Sequence, residues 1–207
     1  MTFYSPSDST FPRLYQEEVQ IVFSAIDCVL NGEKAIYCSS ELTTGLKLYE
    51  AMKNNGVTSR AALEEKLGKE WVKLNIFGVN EKSANRFAQS VRHTLSDKTM
   101  VITPAPFSAP GWSQPEYLAF WETLIRTRIK AAWFNRNWQY SNGCTFEFAV
   151  AQDAGIPTFD RNGDVLDRQT AIESVRTAVE RLSSEGFDTS KLGENLERLQ
   201  PVRVPTG

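Results

Sequence analysis

Apolar residues recur at helical spacing between Leu14 and Leu30, through Val19, Val22, Phe23, Ile26 and Val29, and Asn31-Gly32 closes the run. This predicts a leading helix, behind a loose arm formed by the Ser-, Pro- and Thr-rich first ten residues. Ala35-Ile36-Tyr37-Cys38 reads as a short buried strand that feeds the polar turn Ser39-Ser40-Glu41-Leu42-Thr43-Thr44-Gly45. Residues 46–75 predict helical pieces broken at Gly56 and Gly68, and Asn80 reads as the cap of an amphipathic helix carrying Ala84, Phe87, Ala88, Val91 and Leu95. Met100 to Thr103 is a second strand, ended by the proline-rich loop from Pro104 to Gly111. Ser113 with Glu116 makes a capping box, Pro115 suits a first turn, and the helix they open should run from Gln114 to Arg128. Ile129 to Phe134 supplies a third strand, Gly143 to Asp153 a short helix stopped by Gly155, and Ile156 to Phe159 a fourth strand. Ala171, Ile172, Val175, Ala178, Val179 and Leu182 form the apolar face of a late helix. Alternating strands and helices predict an α/β fold, a mainly parallel sheet with helices on both faces.

Composition narrows the functional classes. The 207 residues are 41% hydrophobic, enough for one core, and 23 Lys+Arg against 25 Asp+Glu give a net charge of −2 with no long block of either sign. No nucleic-acid polymer is therefore expected as a partner. Cys28, Cys38 and Cys144 lack paired spacing, which argues against a disulfide framework and a cysteine zinc site and suits a reducing cytoplasm. No apolar stretch approaches the roughly 18 residues of a membrane span, and the polar start lacks the marks of a signal peptide, so no membrane partner is expected. His93, the only histidine, rules out mechanisms needing two, and its place late in an amphipathic helix predicts a solvent-facing side chain. No metal and no redox cofactor is implied.

The segment from Trp133 to Glu147 leads from a strand end into a helix start. With Asn142 as cap, the amides of Gly143, Cys144 and Thr145 would point outward and suit a phosphate or carboxylate. Gly143 would allow close approach, Ser141 and Thr145 would add hydroxyls, and Glu147 stands one turn in, where the helix dipole favours its ionised form. Such a carboxylate can act as a nucleophile, although an acid in a first turn is also an ordinary stabilising feature. Cys144, at the same helix start, is a candidate reactive thiol. Trp138 and Tyr140, in the loop before the helix, are candidate base contacts, whereas Trp121 and Trp133 suit a core.

Two stretches resemble the nucleoside 2-deoxyribosyltransferase superfamily. Ala35-Ile36-Tyr37-Cys38-Ser39-Ser40 is similar to its opening strand and turn. Gly143-Cys144-Thr145-Phe146-Glu147-Phe148-Ala149-Val150-Ala151 through Gly155-Ile156-Pro157 is similar to its later motif of Gly, small residue, two positions, Glu and a small-residue helix. The resemblance covers roughly residues 35 to 40 and 98 to 160. It implies a Rossmann-like (flavodoxin-like) core over residues 1–160, with an insertion near 45–80, and a helical extension of the same domain over 161–207. It also implies that Glu147 attacks the anomeric carbon of a sugar, with Tyr37 beside it. Where the transferases carry Asp, six residues before the nucleophile, this chain has Ser141, as in the nucleoside 5′-monophosphate N-glycosidase branch, whose serine helps hold the phosphate. The family's acid/base residue falls on Glu122, with Glu116 in reserve.

The expected protein is thus a cytoplasmic N-glycosidase acting on a (deoxy)nucleoside 5′-monophosphate. Glu147, Tyr37 and Glu122 would be catalytic, and Ser39, Ser40, Asn135, Trp138, Tyr140, Ser141, Asn142, Gly143 and Thr145 would bind substrate. A base-exchanging deoxyribosyltransferase and a non-catalytic nucleotide sensor are the alternatives. A homodimer or larger homo-oligomer is expected as well. The resemblance implies shared pockets, and Trp112, Tyr117, Phe120 and Trp121 present more aromatic surface than one sheet should cover, unless the leading helix covers it within one chain.

Overall fold

A computed structural model describes residues 13–95 and 99–200, with side chains from residue 16 onward; the expected N-terminal arm lies outside them. Four parallel strands, β1 (Ala35–Ser39), β2 (Val101–Ile102), β3 (Ile129–Phe134) and β4 (Thr158–Phe159), form one sheet in the order β2-β1-β3-β4. β1 pairs with β2 through Ile36↔Val101 and with β3 through Cys38↔Trp133, while β3 pairs with β4 through Ala132↔Thr158. The two long strands are central. β1 is buried throughout and β3 at every residue but Lys130, as expected of parallel strands covered on both faces.

The pleat divides the core. Ile36, Cys38, Ala131 and Trp133 face α5 (Gly78–Thr94), meeting Phe87, Ala88 and Val91. Ala35, Tyr37, Ala132 and Phe134 face the other way, toward α1 (Arg13–Leu30), α6 (Gln114–Arg128) and α7 (Asn142–Asp153), with α8 (Arg168–Ser184) and α9 (Ser190–Leu199) packed outside α7. The fold is therefore the Rossmann-like α/β arrangement that the alternation of elements predicts. No described helix is long and apolar enough to cross a membrane.

The insertion is helical in pieces, as the glycines predict. It holds α2 (Leu46–Asn54), α3 (Arg60–Leu67) and α4 (Lys69–Val72), and Gly56 and Gly68 at the breaks both have positive φ. Leu48, Met52, Leu63, Val72 and Ile76 build a second apolar cluster against Leu182, Phe187 and Leu192. Asn80 departs from its expected role. The helix continues from α4 through a wide turn at Lys73–Phe77 into α5, so Asn80 lies inside it rather than capping it, and its side-chain amide donates to the Leu42 carbonyl at 2.9 Å.

α6 starts and ends where expected, and the Glu116 carboxylate accepts from the Ser113 amide at 2.5 Å in the predicted capping box. Its aromatics do not form an exposed surface. Phe23 of α1 stacks on Phe120 at 4.8 Å, Phe107 of the proline-rich loop stacks on the same ring at 4.9 Å, and Trp112, Phe120 and Trp121 are all buried. The leading helix and that loop close the cluster within one chain, which removes the surface on which the oligomer expectation rested.

Candidate active site

β1 and β3 are neighbours whose connections leave in opposite directions, and the crevice beyond their C-terminal ends is where open α/β sheets bind ligands. Ser39 ends β1 and Asn135 follows β3, the Asn135 amide donating to the Ser39 carbonyl at 3.0 Å. The first turns of α7 begin beside them and bring in Glu147. Ser39 Oγ donates to Glu147 Oε2 at 2.6 Å across 108 residues of sequence. Tyr37, one pleat earlier on the same face, is fully buried, and its hydroxyl approaches the same carboxylate too loosely for a formed hydrogen bond. The fold thus brings together Tyr37, Ser39 and Glu147.

Burial dominates the electrostatics of this cluster. It pushes the Glu147 carboxyl up to about 7, with the Ser39 and Tyr37 hydroxyls pulling it part of the way back. The expectation that the helix start favours the ionised form of Glu147 is met by an opposing effect, because desolvation raises the carboxyl. Burial, and then the charge of Glu147, hold the Tyr37 phenol well above its ordinary range. Burial likewise raises the Cys144 thiol far above its usual value, so this cysteine is a core residue and not the reactive thiol its position suggested.

The start of α7 differs from the expected phosphate cradle. Ser141, not Asn142, is the cap, its Oγ accepting from the Cys144 amide at 3.4 Å. The Thr145 amide bonds the Ser141 carbonyl at 3.0 Å, so two of the three amides expected to point outward already have partners. The Asn142 amide donates to Thr44 Oγ1 at 3.2 Å, and Asn195 of α9 donates to Thr145 Oγ1 at 2.8 Å. Gly143 keeps open space, where an added Cβ would meet only Ser141 Oγ at 3.9 Å.

Other expected site residues lie elsewhere. Trp138 stacks on Phe148 at 4.8 Å and packs against Phe134, so it is core and not a base contact. Tyr140 belongs to the insertion's apolar cluster, and its hydroxyl accepts from Arg181 at 3.2 Å. Glu122 accepts from Arg126 at 2.9 Å and Arg198 at 3.3 Å, in a network that shares Asp153 at the end of α7. Asp153 is six residues beyond Glu147, about 9 Å along the helix, which leaves Glu122 at the wrong end for acid catalysis. Glu116, the reserve, is committed to its capping box. The hydroxyls of Ser40, Tyr37 and Thr103 are buried without a partner, all three on residues at or near the C-terminal ends of β1 and β2. Buried hydroxyls without protein partners are few in folded chains and concentrate where ligands or water complete them.

Glu41 is the acidic residue that the sequence reading missed. Its carboxylate accepts from the Leu46 amide at 2.8 Å, yet burial pushes it up to about 7. Gly45 makes the fit possible, with φ at 137° and a Cβ position only 2.0 Å from Glu41 Oε2. The signal was available, since an acid in the turn after the first strand occupies the usual ligand position of such folds. Beyond Glu41 opens a cavity of about 480 Å3 lined by Lys47, Lys82, Arg86, Arg136 and Arg161, with Asn80, Asn135 and Asn137 among its other walls. Among the described residues, no group of three or more His, Cys, Asp and Glu side chains could hold a metal ion.

No protein-family model, curated protein or solved structure matches this chain.

Proposed function

We propose that this protein is a nucleotide N-glycosidase that cleaves the N-glycosidic bond of a (deoxy)nucleoside 5′-monophosphate, with Glu147 as nucleophile. The observation that carries the reading is the buried Glu147 carboxylate, bonded by Ser39 and faced by Tyr37 beside the sheet's switch point. In this mechanism the ionised carboxylate attacks the anomeric carbon while the bond to the base breaks, giving a glycosyl ester and a departing base that takes up a proton. Glu41 serves as the donor in place of Glu122, because a carboxyl raised to about 7 still carries a proton near neutral pH. Water then attacks the ester and regenerates Glu147. A second base at that step would make the protein a deoxyribosyltransferase instead. Residence in the cytoplasm and assembly into a homo-oligomer belong to the same proposal, and light scattering on the purified chain decides the assembly.

A second reading, a nucleotide sensor without turnover, is favoured by the 6% exposure of Glu147 and by its bond to Ser39. Incubation with a panel of ribo- and deoxyribonucleoside monophosphates, followed by chromatography for free base, separates the two. The enzyme reading expects base release that disappears in Glu147→Gln. A rise in melting temperature with no released base selects the sensor.

A further inference from the structure

We propose that the cavity between α5 and the ends of β1 and β3 is a binding site for a small soluble ligand carrying two or more phosphate groups. Glu41, the proton donor proposed above, lines this space, but Glu147, Ser39 and Ser141 do not, so the assignment does not depend on Glu147 as nucleophile. At about 480 Å3 the cavity lies within the roughly 300 to 1,000 Å3 of small-molecule sites.

Its charge is what selects the ligand. Lys47, Lys82, Arg86, Arg136 and Arg161 come from α2, α5 and two loops, and Glu41 is the one acidic residue in the lining. Among the described residues, none of these five cations forms a salt bridge, so the cluster's charge is unbalanced by the chain itself. Local physics opposes two of the placements. Lys47 stands in the first turn of α2, where the helix dipole repels a cation, and Lys82 and Arg86 are like charges four residues apart on one helix face. Cations concentrated against local preference, without acidic partners, are compensated by a polyanion. One phosphate carries at most two negative charges and would leave most of the set unmatched; two or three phosphates match it, with the guanidinium groups able to bind oxygens in pairs.

The walls are held before any ligand arrives. Asn80 ties α5 to the Leu42 carbonyl, and Asn135 accepts from the Arg136 amide at 2.9 Å. Asn137 takes a left-handed φ of 63° beside them, a conformation that asparagine adopts more readily than most residues. The position is also that of a ligand site, at the carboxyl ends of the two central strands. A nucleoside di- or triphosphate and an inorganic polyphosphate share the required chemistry.

Isothermal titration of the full chain with ATP, ADP, tripolyphosphate, AMP and orthophosphate tests the assignment. ATP, ADP or tripolyphosphate should bind one per chain, at least about tenfold tighter than orthophosphate, and more weakly as salt rises, whereas AMP also reports on the Glu147 site. A clear preference for ATP over tripolyphosphate identifies a nucleotide, and equal affinity identifies the phosphate chain alone. Lys82→Glu with Arg86→Glu should lower affinity by at least about tenfold, while Glu147→Gln should bind as the wild type does. Should the double variant fail to fold, Arg136→Ala and Arg161→Ala, at exposed loop positions, should each weaken binding by several fold. Absence of binding at millimolar ligand, equal affinity for orthophosphate and tripolyphosphate, variants that bind like wild type, or tighter binding of a single-stranded oligonucleotide than of ATP would each overturn the assignment.

Discussion

The two sides of the loop from Ser40 to Gly45 treat charge in opposite ways. On one side Glu147 is buried with two hydroxyls and no cation acting on it, so desolvation decides its state and its carboxyl titrates near 7. On the other, five cations line a cavity without ionic partners among the described residues. Had one of those cations stood beside Glu147, its attraction would have opposed the desolvation and drawn the carboxyl back toward its ordinary range. Keeping the two regions apart lets one chain hold a carboxyl that exchanges protons near neutrality and, a few residues away, a strongly positive surface. Glu41 stands at the junction: it lines the cavity, is drawn down slightly by Lys47, and still titrates near 7 because burial outweighs that attraction.

The largest effect should come from Glu147→Gln. The substitution keeps shape and can keep a bond to Ser39, so the fold should survive, while base release from a nucleoside monophosphate should fall at least about a thousandfold. Near-wild-type release would remove Glu147 as nucleophile and reduce the comparison to one of burial. In the active protein, release should pass through a maximum near pH 7, rising as Glu147 ionises and falling as Glu41 loses the proton it donates.

Stability should follow pH in the direction set by the same burial. Burial places Glu147 and Glu41 both near 7 in the folded chain against 4.5 for an ordinary glutamate, so the folded state binds more protons between those limits. Their contribution is therefore complete below about pH 4.5 and lost as pH rises through 7, the reverse of an ion-paired carboxylate. For Glu147 alone the loss is on the order of 3 kcal/mol, and Glu147→Gln should remove that share of the slope in denaturant melts. A stability that climbs from pH 4.5 to 7 in both proteins would mean that the carboxyl is not desolvated.

The strands and most helices were legible because their burial patterns are local. β3 runs from Ile129 to Phe134 and α6 from Gln114 to Arg128, as apolar runs and a capping box require. Glu147 stood out locally as an acid at a helix start, but its pairing with Tyr37 was expected only through the family resemblance, for nothing local says that residues so far apart in sequence lie together. Trp138 was misread because a three-residue helical turn at Trp138–Tyr140 folds the loop back onto Phe148. The cationic cavity was invisible for a related reason. Its charges are spread from Lys47 to Arg161 in a nearly neutral chain, and only the fold gathers them.

Gly45→Ala attacks the junction itself. The added Cβ would fall 2.0 Å from Glu41 Oε2 on a backbone with φ of 137°, so Glu41 must leave the Leu46 amide and α2 must lose its N-terminal acceptor. A cost of about 2 kcal/mol in denaturant melts is expected from strain and the lost bond together. The freed carboxyl should also titrate closer to the ordinary range of Glu, which flattens the Glu41 share of the pH dependence. Unchanged stability would show that the loop moves easily and that the two regions are less separate than their electrostatics suggest.

The smallest effect separates two roles of Ser141. Its Oγ caps α7 by accepting from the Cys144 amide and lies 3.3 Å from Thr44 Oγ1, so Ser141→Ala should cost about 1 kcal/mol of stability whatever the substrate. Ser141→Gly should cost only a few tenths more than nothing if capping is the whole role, since glycine is tolerated at that position. If the hydroxyl also donates to a phosphate, both variants should lose a further 1 kcal/mol or so of monophosphate affinity and keep their affinity for the parent nucleoside. Calorimetry with the matched pair of ligands reads that difference directly. Equal losses for nucleotide and nucleoside would assign Ser141 to the helix start alone and leave the cationic cavity as the phosphate-binding surface of this chain.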